Sequence, residues 1–504
     1  MASLPRRLMG IETEYGIHID GLGPDALVKA SRELVESHPK PYASPWEYRH
    51  EHPRRDARGF VVDHLSVDPI DARYDQAGTN TTDNHLRADR MLPNGARLYN
   101  DHGHPEYSTP ETSDLLTLVA ADKAGERIMQ SLALKRSALT GTLVSLQKNN
   151  SDGNGASYGT HESYQALRSV DIEAFIRDLP AHFATRILYT GAGKTGCEET
   201  GVRGVDFQLS QRADFFKVIA SVDTLYNRPL VNTRDETHDD PSQLRRIHVI
   251  CGDANLSETA TFLKCGTTHL VLRLIEDGVD LTHIALADPL AAIKVISRNP
   301  LTLPVLPLKD GNFTTALEVQ YTLLGLCRRY EGTDAQTDQV LSTWKKFLDD
   351  YAENPLSVAD RADWAAKFAL LTQFAAEEGV DFNSDIIQSL DIAFHDIDPD
   401  AGLHFALLDA GDVQTLVSED AITLLLEQPP QDSAKAIIRG HIACCLSDAV
   451  ISISWDEVTL RLKSGQNVAL RLHPFTHVSC ERLLAALHGV TTSDALLETL
   501  KSIA

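Results

Sequence analysis

The sequence predicts an α+β fold, and three features of the 504 residues support this prediction. Apolar and polar residues alternate over 9–17, as in a β-strand with one buried face. From Leu317 to Gln428, apolar residues recur with helical spacing in several separate segments. Between these regions the strand, loop and helix patterns follow one another irregularly, which favours α+β over a regular series of βαβ units.

The length exceeds what one ordinary hydrophobic core holds, so we expect two unequal domains. Pro429 and Pro430 interrupt helix formation and predict a boundary, with a large domain over 1–430 and a small C-terminal domain over 431–504. Inside the large domain, a polar segment from about residue 37 to 90 is rich in His, Asp, Arg and Pro. A segment of this length without apolar periodicity predicts a mobile, lid-like loop.

The composition excludes several classes of partner. A net charge of −24 argues against nucleic acid and anionic membrane surfaces, which would repel the chain. No run approaches the ~18 apolar residues of a membrane span, and the first residues lack the apolar core of a signal peptide. The seven cysteines are scattered without a C-x-x-C pair, which predicts reduced thiols and a cytoplasmic protein. The oligomeric state is not indicated.

Two acids in the first predicted strand, Glu12 and Glu14, carry the first chemical signal. Alternate residues of a strand point to one face, so both carboxylates share a face. Carboxylates this close repel each other unless a cation lies between them, and a hard divalent cation is the usual solution. The alternative is a solvated strand face that happens to carry two acids.

A second cluster places two acids and two imidazoles within 101–106. Asp101 is a candidate general base or nucleophile, and Glu106 is a candidate metal ligand. The alternative is a turn whose acids lie in water. Downstream, the Gly- and Ser-rich segment 148–164 leads into His161 and could approach a phosphate closely, with Lys148 adding charge, although such segments are also common as turns.

A third cluster contains Arg246 and His248, which alternate with apolar residues and therefore share a strand face. A guanidinium and an imidazole facing a metal–phosphate site suit a nucleoside triphosphate, although a salt-bridged sheet surface would look similar. The segment 191–195 resembles the end of a P-loop, but Leu188 occupies the position where that motif requires Gly. We therefore discount it.

These clusters, in this order, resemble the Pup ligase and depupylase family, whose large domain is similar to glutamine synthetase and the carboxylate-amine ligases. The resemblance covers most of residues 8–275 and extends more faintly to the C-terminal region. It implies a large domain with a curved, mostly antiparallel sheet backed by helices. The motifs that carry it are Met9–Gly16, Asn94–Tyr99, His104–Tyr107, Asn232–Glu236 and Gly252–Thr259.

The resemblance also implies roles for single residues. Asp101 matches the catalytic aspartate, and Ser163 stands where the family usually has Asn beside the His161–Glu162 pair. The expected cofactors are ATP and Mg²⁺. The positions that match magnesium ligands are Glu12, Tyr99, Glu106, His161 and His248. The positions that match nucleotide contacts are Glu14, Thr109, Ser163, Arg246 and Trp455.

Within the family, ligases attach the C-terminal glutamate of the small protein Pup to substrate lysines, and depupylases hydrolyse that isopeptide bond. The lid-like insertion and the 101–106 spacing, one residue shorter than in ligases, favour depupylase, with deamidation of a Pup that ends in Gln as an added activity. The partners implied are Pup, itself acidic, and pupylated proteins, so we expect a groove lined by Arg and Lys. The alternatives are a Pup ligase, a small-molecule carboxylate-amine ligase and a catalytically idle Pup-binding protein.

Overall fold

The structure is a computed structural model that describes residues 3–38, 46–66, 88–153 and 155–503. Strands and helices alternate irregularly along the described chain, as the sequence predicts. The strands are β1 Met9–Glu14, β2 Gly16–Ile19, β3 Arg90–Met91, β4 Arg97–Asp101, β5 His104–Ser108, β6 Val144–Gln147, β7 Thr160–Leu167, β8 Lys194–Thr195, β9 Phe207–Gln208, β10 Val218–Ser221, β11 Pro229–Asn232, β12 Leu244–Val249, β13 Leu306–Pro307, β14 Phe313–Thr314, β15 Val450–Ile453, β16 Glu457–Arg461 and β17 Asn467–Arg471.

The helices flank the sheet and dominate the second half of the chain. They are α1 Pro24–Glu36, α2 Leu115–Thr140, α3 Ile172–Thr185, α4 Ile187–Thr190, α5 Glu258–Glu276, α6 Pro289–Ser297, α7 Ala316–Cys327, α8 Ala335–Glu353, α9 Asp363–Glu378, α10 Asp385–Phe394, α11 Leu403–Ala410, α12 Glu419–Glu427, α13 Ala434–Cys445, α14 Cys480–Leu487 and α15 Ser493–Ile503. The helical prediction for 317–428 is confirmed, because α7 to α12 occupy that region.

The main sheet has six strands in the order β12-β7-β1-β5-β4-β3, and every neighbouring pair is antiparallel. Burial alternates strictly along β1 and β7, so each strand has a buried and a partly open face. The observed sheet, with helices packed on one face, confirms the predicted α+β class. The period-2 pattern of the first strand was therefore a sound basis for the prediction.

The buried face of the sheet carries the main hydrophobic core. Ile11, Tyr164 and Ile247 are each at most 2% exposed and pack into a cluster shared with the helices. Helix α5 is buried along its whole length, and the Ser257 hydroxyl caps it by accepting from the Ala260 N–H. Because helices cover this face, the chemistry-bearing residues must lie on the opposite one.

A separate hydrophobic cluster joins residues 434–503 and also includes Trp46 and Met91. Helix α13 lies directly against the turn 93–95: a Cβ on Gly440 would lie 2.2 Å from the Pro93 carbonyl oxygen. A second tie joins this helix to the segment before β12, where the Lys435 ammonium lies 2.8 Å from Asp239 Oδ2. The division of the chain near residue 430 stays a prediction.

The predicted lid-like loop, 37–90, lies partly outside the described residues, which omit 39–45 and 67–87. Its described part, 46–66, is bonded to the segment after β11. The Ala57 N–H donates to the Thr233 carbonyl at 2.8 Å, and the Thr233 hydroxyl donates to Asp56 at 2.6 Å. Among the residues described, the helices are too short or too polar to cross a membrane.

We expect Gly440→Ala to destabilise the protein by about 1–3 kcal/mol, because the new methyl group overlaps backbone that cannot move without undocking α13. Gly325→Ala is the matched control: it also lies inside a helix, but a Cβ there meets nothing within 4 Å. That control should gain about 0.5–1 kcal/mol. Denaturant unfolding measures both, and equal effects of the two variants would contradict the close packing.

Candidate active site

The open face of the sheet brings the predicted site residues into one place through strand register. Glu12 lies opposite His161 on β7 and Ser108 on β5, and Glu14 lies opposite Glu106. On the outer strands the same face carries Tyr99 and Asp101 on one side and Arg246 and His248 on the other. Some of these residues, such as Glu12 and His248, are far apart in the sequence. The pairing of antiparallel strands brings their side chains together.

Glu12, His161 and His248 form the first group of potential metal ligands, with one donor atom of each within 4.8 Å of the others. Glu12 Oε2 lies 3.5 Å from His161 Nδ1 and 3.8 Å from His248 Nε2. The His248 ring is buried, and neither of its nitrogens has a hydrogen-bond partner in the described part of the chain. A buried imidazole with free nitrogens beside a carboxylate fits a divalent cation.

Glu14, Asp101 and Glu106 form a second such group, also within 4.8 Å of one another. Asp101 lies at the tip of the β4–β5 hairpin, with its Oδ2 3.2 Å from His102 Nδ1. The Tyr99 hydroxyl donates a hydrogen bond to Glu106. The structure thus places Glu14 and Asp101 with Glu106, and it places Tyr99 as the hydrogen-bond donor to that carboxylate.

The ionisation of the site follows from burial and charge. Burial, followed by the carboxylates of Asp101 and Glu14, raises the pKa of Glu106 well above its ordinary value. Burial works against ionised Glu12 too, but the hydrogen bond from His161 and the charge of Arg246 lower its pKa. Burial, helped by Arg246, also drives the pKa of His248 well down, so this imidazole is neutral, as a metal ligand must be.

Both groups open into a cavity of about 760 Å³. One wall of this cavity is acidic, as just described, and the rest carries arginines together with the carboxylates of Glu51, Asp63 and Glu236. The described part of the lid-like loop contributes Pro53 and His64 to its rim. The guanidinium groups that line it belong to Arg54, Arg97, Arg212, Arg228, Arg234 and Arg246.

A smaller slot of about 80 Å³ adjoins the cavity and contains the predicted nucleotide contacts Thr109, Ser163, Arg246 and Trp455. The Thr109 hydroxyl accepts from the backbone N–H of Ile11 at 3.0 Å. The Ser163 hydroxyl is buried and lacks a hydrogen-bond partner among the residues described, so it can bond a ligand. Glu12 and Arg246 border both spaces, so the slot and the cavity share a wall.

Two lysines of the sequence motifs lie away from the site. The expectation that Lys148 serves a phosphate is wrong, because its buried ammonium pairs with Asp122 at 2.6 Å and Glu126 at 2.7 Å. Lys194 of the P-loop-like segment pairs with Glu198 at 2.6 Å and Asp214 at 3.0 Å. Discounting that segment as a P-loop was therefore correct.

Sequence reasoning missed most of the cavity arginines. The position of Arg97 was predictable from the sequence, because it alternates with Tyr99 and Asp101 along β4 and therefore shares their face. No sequence pattern predicts the position of Arg212, because it lies in an irregular stretch after β9. The residue is buried, and its Nη1 donates to the Ile250 carbonyl oxygen at 2.6 Å. Burial lowers the pKa of Arg212 against the opposing charge of Glu14.

A family model described as "Pup-ligase protein" matches residues 7–459. The chain belongs to this family. A depupylase of Acidothermus cellulolyticus is 40% identical over 469 residues, covering 90% of this chain and 91% of that protein. A Pup deamidase/depupylase of Mycolicibacterium smegmatis is 37% identical over 505 residues, covering 98% and 99%. A Pup–protein ligase of Kocuria rhizophila is 37% identical and covers 76% of this chain and 86% of that protein.

Two solved structures of this family superpose on the chain. The ligase PafA in complex with Pup has a TM-score of 0.76 at 28% identity and covers all of this chain and 95% of that one. PafA in complex with ADP has a TM-score of 0.71 at 28% identity and covers 85% and 96%. These likenesses confirm the predicted fold class, a helix-backed and mostly antiparallel sheet of the family's type.

We expect Mg²⁺ to raise the thermal midpoint of the protein, because a cation that binds only the folded state stabilises it. At a concentration about 100 times its Kd the gain is about 2.7 kcal/mol. Glu12→Gln should lose the part of this gain that comes from the Glu12, His161 and His248 group, whereas Asp20→Asn, an exposed acid outside the site, should keep all of it. Equal Mg²⁺-dependent shifts in both variants would contradict a cation site at Glu12.

The raised pKa of Glu106 sets a pH dependence for the metal-free protein. Its contribution to stability is fully present below the unfolded pKa of about 4.3 and is lost as pH rises through the higher folded value. Glu106→Gln should therefore be more stable than the parent at about pH 8 with chelator, and the difference should narrow towards about pH 5. Denaturant unfolding at a series of pH values measures this. The exposed control Glu427→Gln should show no such trend, and a parallel trend would refute the assignment.

Proposed function

We propose that the chain is a depupylase that hydrolyses the isopeptide bond between the C-terminal Glu side chain of Pup and substrate lysines, using ATP and Mg²⁺. The same site would deamidate a Pup that ends in Gln. The observation that carries this proposal is the position of Asp101, which belongs to the second group of potential ligands and lines the arginine-containing cavity. A reactive carboxylate there can meet a carbonyl presented from the cavity.

The share of this chain that each kind of relative covers supports hydrolysis over ligation. Relatives named depupylase or Pup deamidase/depupylase align over 90–98% of this chain. Relatives named Pup–protein ligase align over 76–79% of it. The unusually long segment between β2 and β3 is in keeping with the lid-like insertion expected of depupylases.

The roles of the site residues follow from the geometry. Glu12, His161 and His248 would hold one Mg²⁺, and the Glu14, Asp101 and Glu106 group suits a second. Tyr99 would orient the carboxylate of Glu106 by its hydrogen bond. A bound Mg²⁺ would neutralise the clustered carboxylates and the negative charge that develops on a reacting carbonyl oxygen.

The ATP that we propose would occupy the slot and extend its phosphates toward the cations. Thr109 and the unpartnered Ser163 hydroxyl line this slot, and the Trp455 ring supplies an apolar wall for a base. Arg246, 3.6 Å from Glu12, stands between slot and cavity and can bond a phosphate. PafA, with 28% identity, has been solved with ADP, which supports nucleotide binding here.

Asp101 would act at the Pup side-chain carbonyl, either by attack of its own carboxylate oxygen or by taking a proton from water. In both routes the C–N bond to the lysine breaks, the nitrogen gains a proton and water supplies the oxygen of the new carboxylate. His102 Nδ1, 3.2 Å from Asp101 Oδ2, helps to orient that carboxylate. The described lid-like residues at the cavity rim would limit access of water to the reacting bond.

For an acidic Pup, the cavity arginines would supply local positive charge beside the carboxylates that share its lining, in a chain whose net charge is −24. Within this proposal, residues 1–430 form the catalytic domain and 431–504 a small domain that adds Trp455 to the slot. A cytoplasmic location, which suits a protein with reduced thiols, is part of the same proposal.

The test is incubation of the protein with a Pup-conjugated substrate, ATP and Mg²⁺, followed on a gel. We expect free Pup and intact target with the parent and at least about a 10²-fold slower reaction with Asp101→Asn. Asp20→Asn, an exposed aspartate outside the cavity, is the control and should react like the parent. Nucleotide binding by Asp101→Asn should persist, because Asp101 does not line the slot and the Glu12, His161 and His248 group stays intact.

Two results would overturn the proposal. If the conjugate persists while Pup ending in Glu becomes attached to a bare target and ATP falls in step, the chain is a ligase. If Asp101→Asn cleaves as fast as the parent, Asp101 is not the reactive carboxylate. The ligase alternative has less support, because the relatives named ligase align over a smaller share of the chain.

A further inference from the structure

We infer that Arg439, on helix α13, is a positioning residue that holds the Trp455 ring in the wall of the slot. Arg439 itself does not line the slot, and it acts through Trp455. The inference rests on the proposed function, since it takes the slot to be the nucleotide site. It adds a residue of the small C-terminal region whose loss weakens ATP binding without altering the reacting groups.

Arg439 is completely buried and bridges both sides of the slot. Its Nη1 donates to the Trp455 carbonyl oxygen at 2.8 Å and to Glu111 Oε1 at 3.1 Å. Its guanidinium carbon lies 5.0 Å from the centre of the Trp455 ring. Glu111 and Trp455 both line the slot, so one side chain ties two of its walls together.

The backbone beneath Arg439 allows little displacement. Its neighbour Gly440 packs so closely on the turn 93–95 that a Cβ would lie 2.2 Å from the Pro93 carbonyl oxygen. In that turn, a Cβ on Gly95 would lie 2.8 Å from the Ala436 carbonyl oxygen. Arg439 therefore extends from a helix that is packed closely on the turn before β4.

The other side of Trp455 is also held. Trp46 meets it edge-on, with 5.4 Å between ring centres. Trp46 in turn lies over the Arg97 guanidinium at 3.9 Å, and the Glu47 N–H donates to the Ile453 carbonyl at 2.9 Å. Trp455 thus stands between a cation and a second indole, and these contacts run from β4 of the main sheet to α13.

The test measures ATP binding by calorimetry, with Mg²⁺ present, on the full-length protein. Arg439→Lys keeps the charge but loses the planar fork, so we expect about tenfold weaker ATP binding. In the conjugate-cleavage assay the KM for ATP should rise by a similar factor, while kcat at saturating ATP stays within about twofold of the parent. Arg361→Lys, a buried arginine paired with Asp350 away from both spaces, is the matched control and should bind ATP like the parent.

A second variant, Glu111→Gln, carries the test if Arg439→Lys does not fold. Removing a negative charge from the slot would by itself strengthen the binding of an anionic nucleotide. Weaker ATP binding by Glu111→Gln would therefore show that the ion pair between Glu111 and Arg439 is needed. Trp455→Phe identifies which part of the ATP-induced change in tryptophan fluorescence comes from this ring. That part should shrink in Arg439→Lys.

Unchanged ATP affinity in Arg439→Lys, or a fall in kcat with the KM for ATP unchanged, would overturn the inference. If the parent itself binds no ATP, or if Trp455→Phe binds it with full affinity, then the assignment of the slot to the nucleotide fails instead. The two failures are therefore distinguishable in the same set of measurements.

Discussion

The structure depends on one electrostatic constraint: acids on a single sheet face, brought together in a partly buried cleft, need positive charge between them. Glu12 and Glu14 alternate on β1, and Glu106 lies directly opposite Glu14 on β5. The raised pKa of Glu106 expresses the cost of that arrangement without a cation. Such a cluster is stable only because helices support the other face and because arginines and imidazoles surround it.

The small C-terminal region adds walls to this charged surface, since Lys435 and Trp455 line the slot. Helix α13 docks on the turn before β4, and the connection between β15 and β16 places Trp455 in the lining of the slot. The described part of the lid-like loop borders the larger cavity. The arginines of that cavity would attract an acidic partner at short range, although the net negative charge of the protein repels it at long range. The proposed function assigns cations, nucleotide phosphates and an acidic chain end to this one sheet face.

The sequence predicted the parts of the site that follow from strand periodicity. The shared faces of Glu12 with Glu14 and of Arg246 with His248 were readable, because a period of two fixes side-chain direction. The register between strands was not readable, so the grouping of Glu14 with Asp101 and Glu106 emerged only in the structure. The prediction for Lys148 was wrong because a lysine near glycines is compatible both with phosphate binding and with a buried ion pair. Its partner Asp122 lies on helix α2, and the sequence does not show that the two residues meet.

The most direct test of the central claim is a crystal structure of the protein grown with Mn²⁺ and a nonhydrolysable ATP analogue, examined by anomalous scattering. The account predicts a peak bounded by Glu12, His161 and His248, with the analogue's phosphates beside it and its base against Trp455. A further peak is expected within the Glu14, Asp101 and Glu106 group. Manganese peaks confined to other surfaces, or an analogue bound away from this sheet face, would contradict the account.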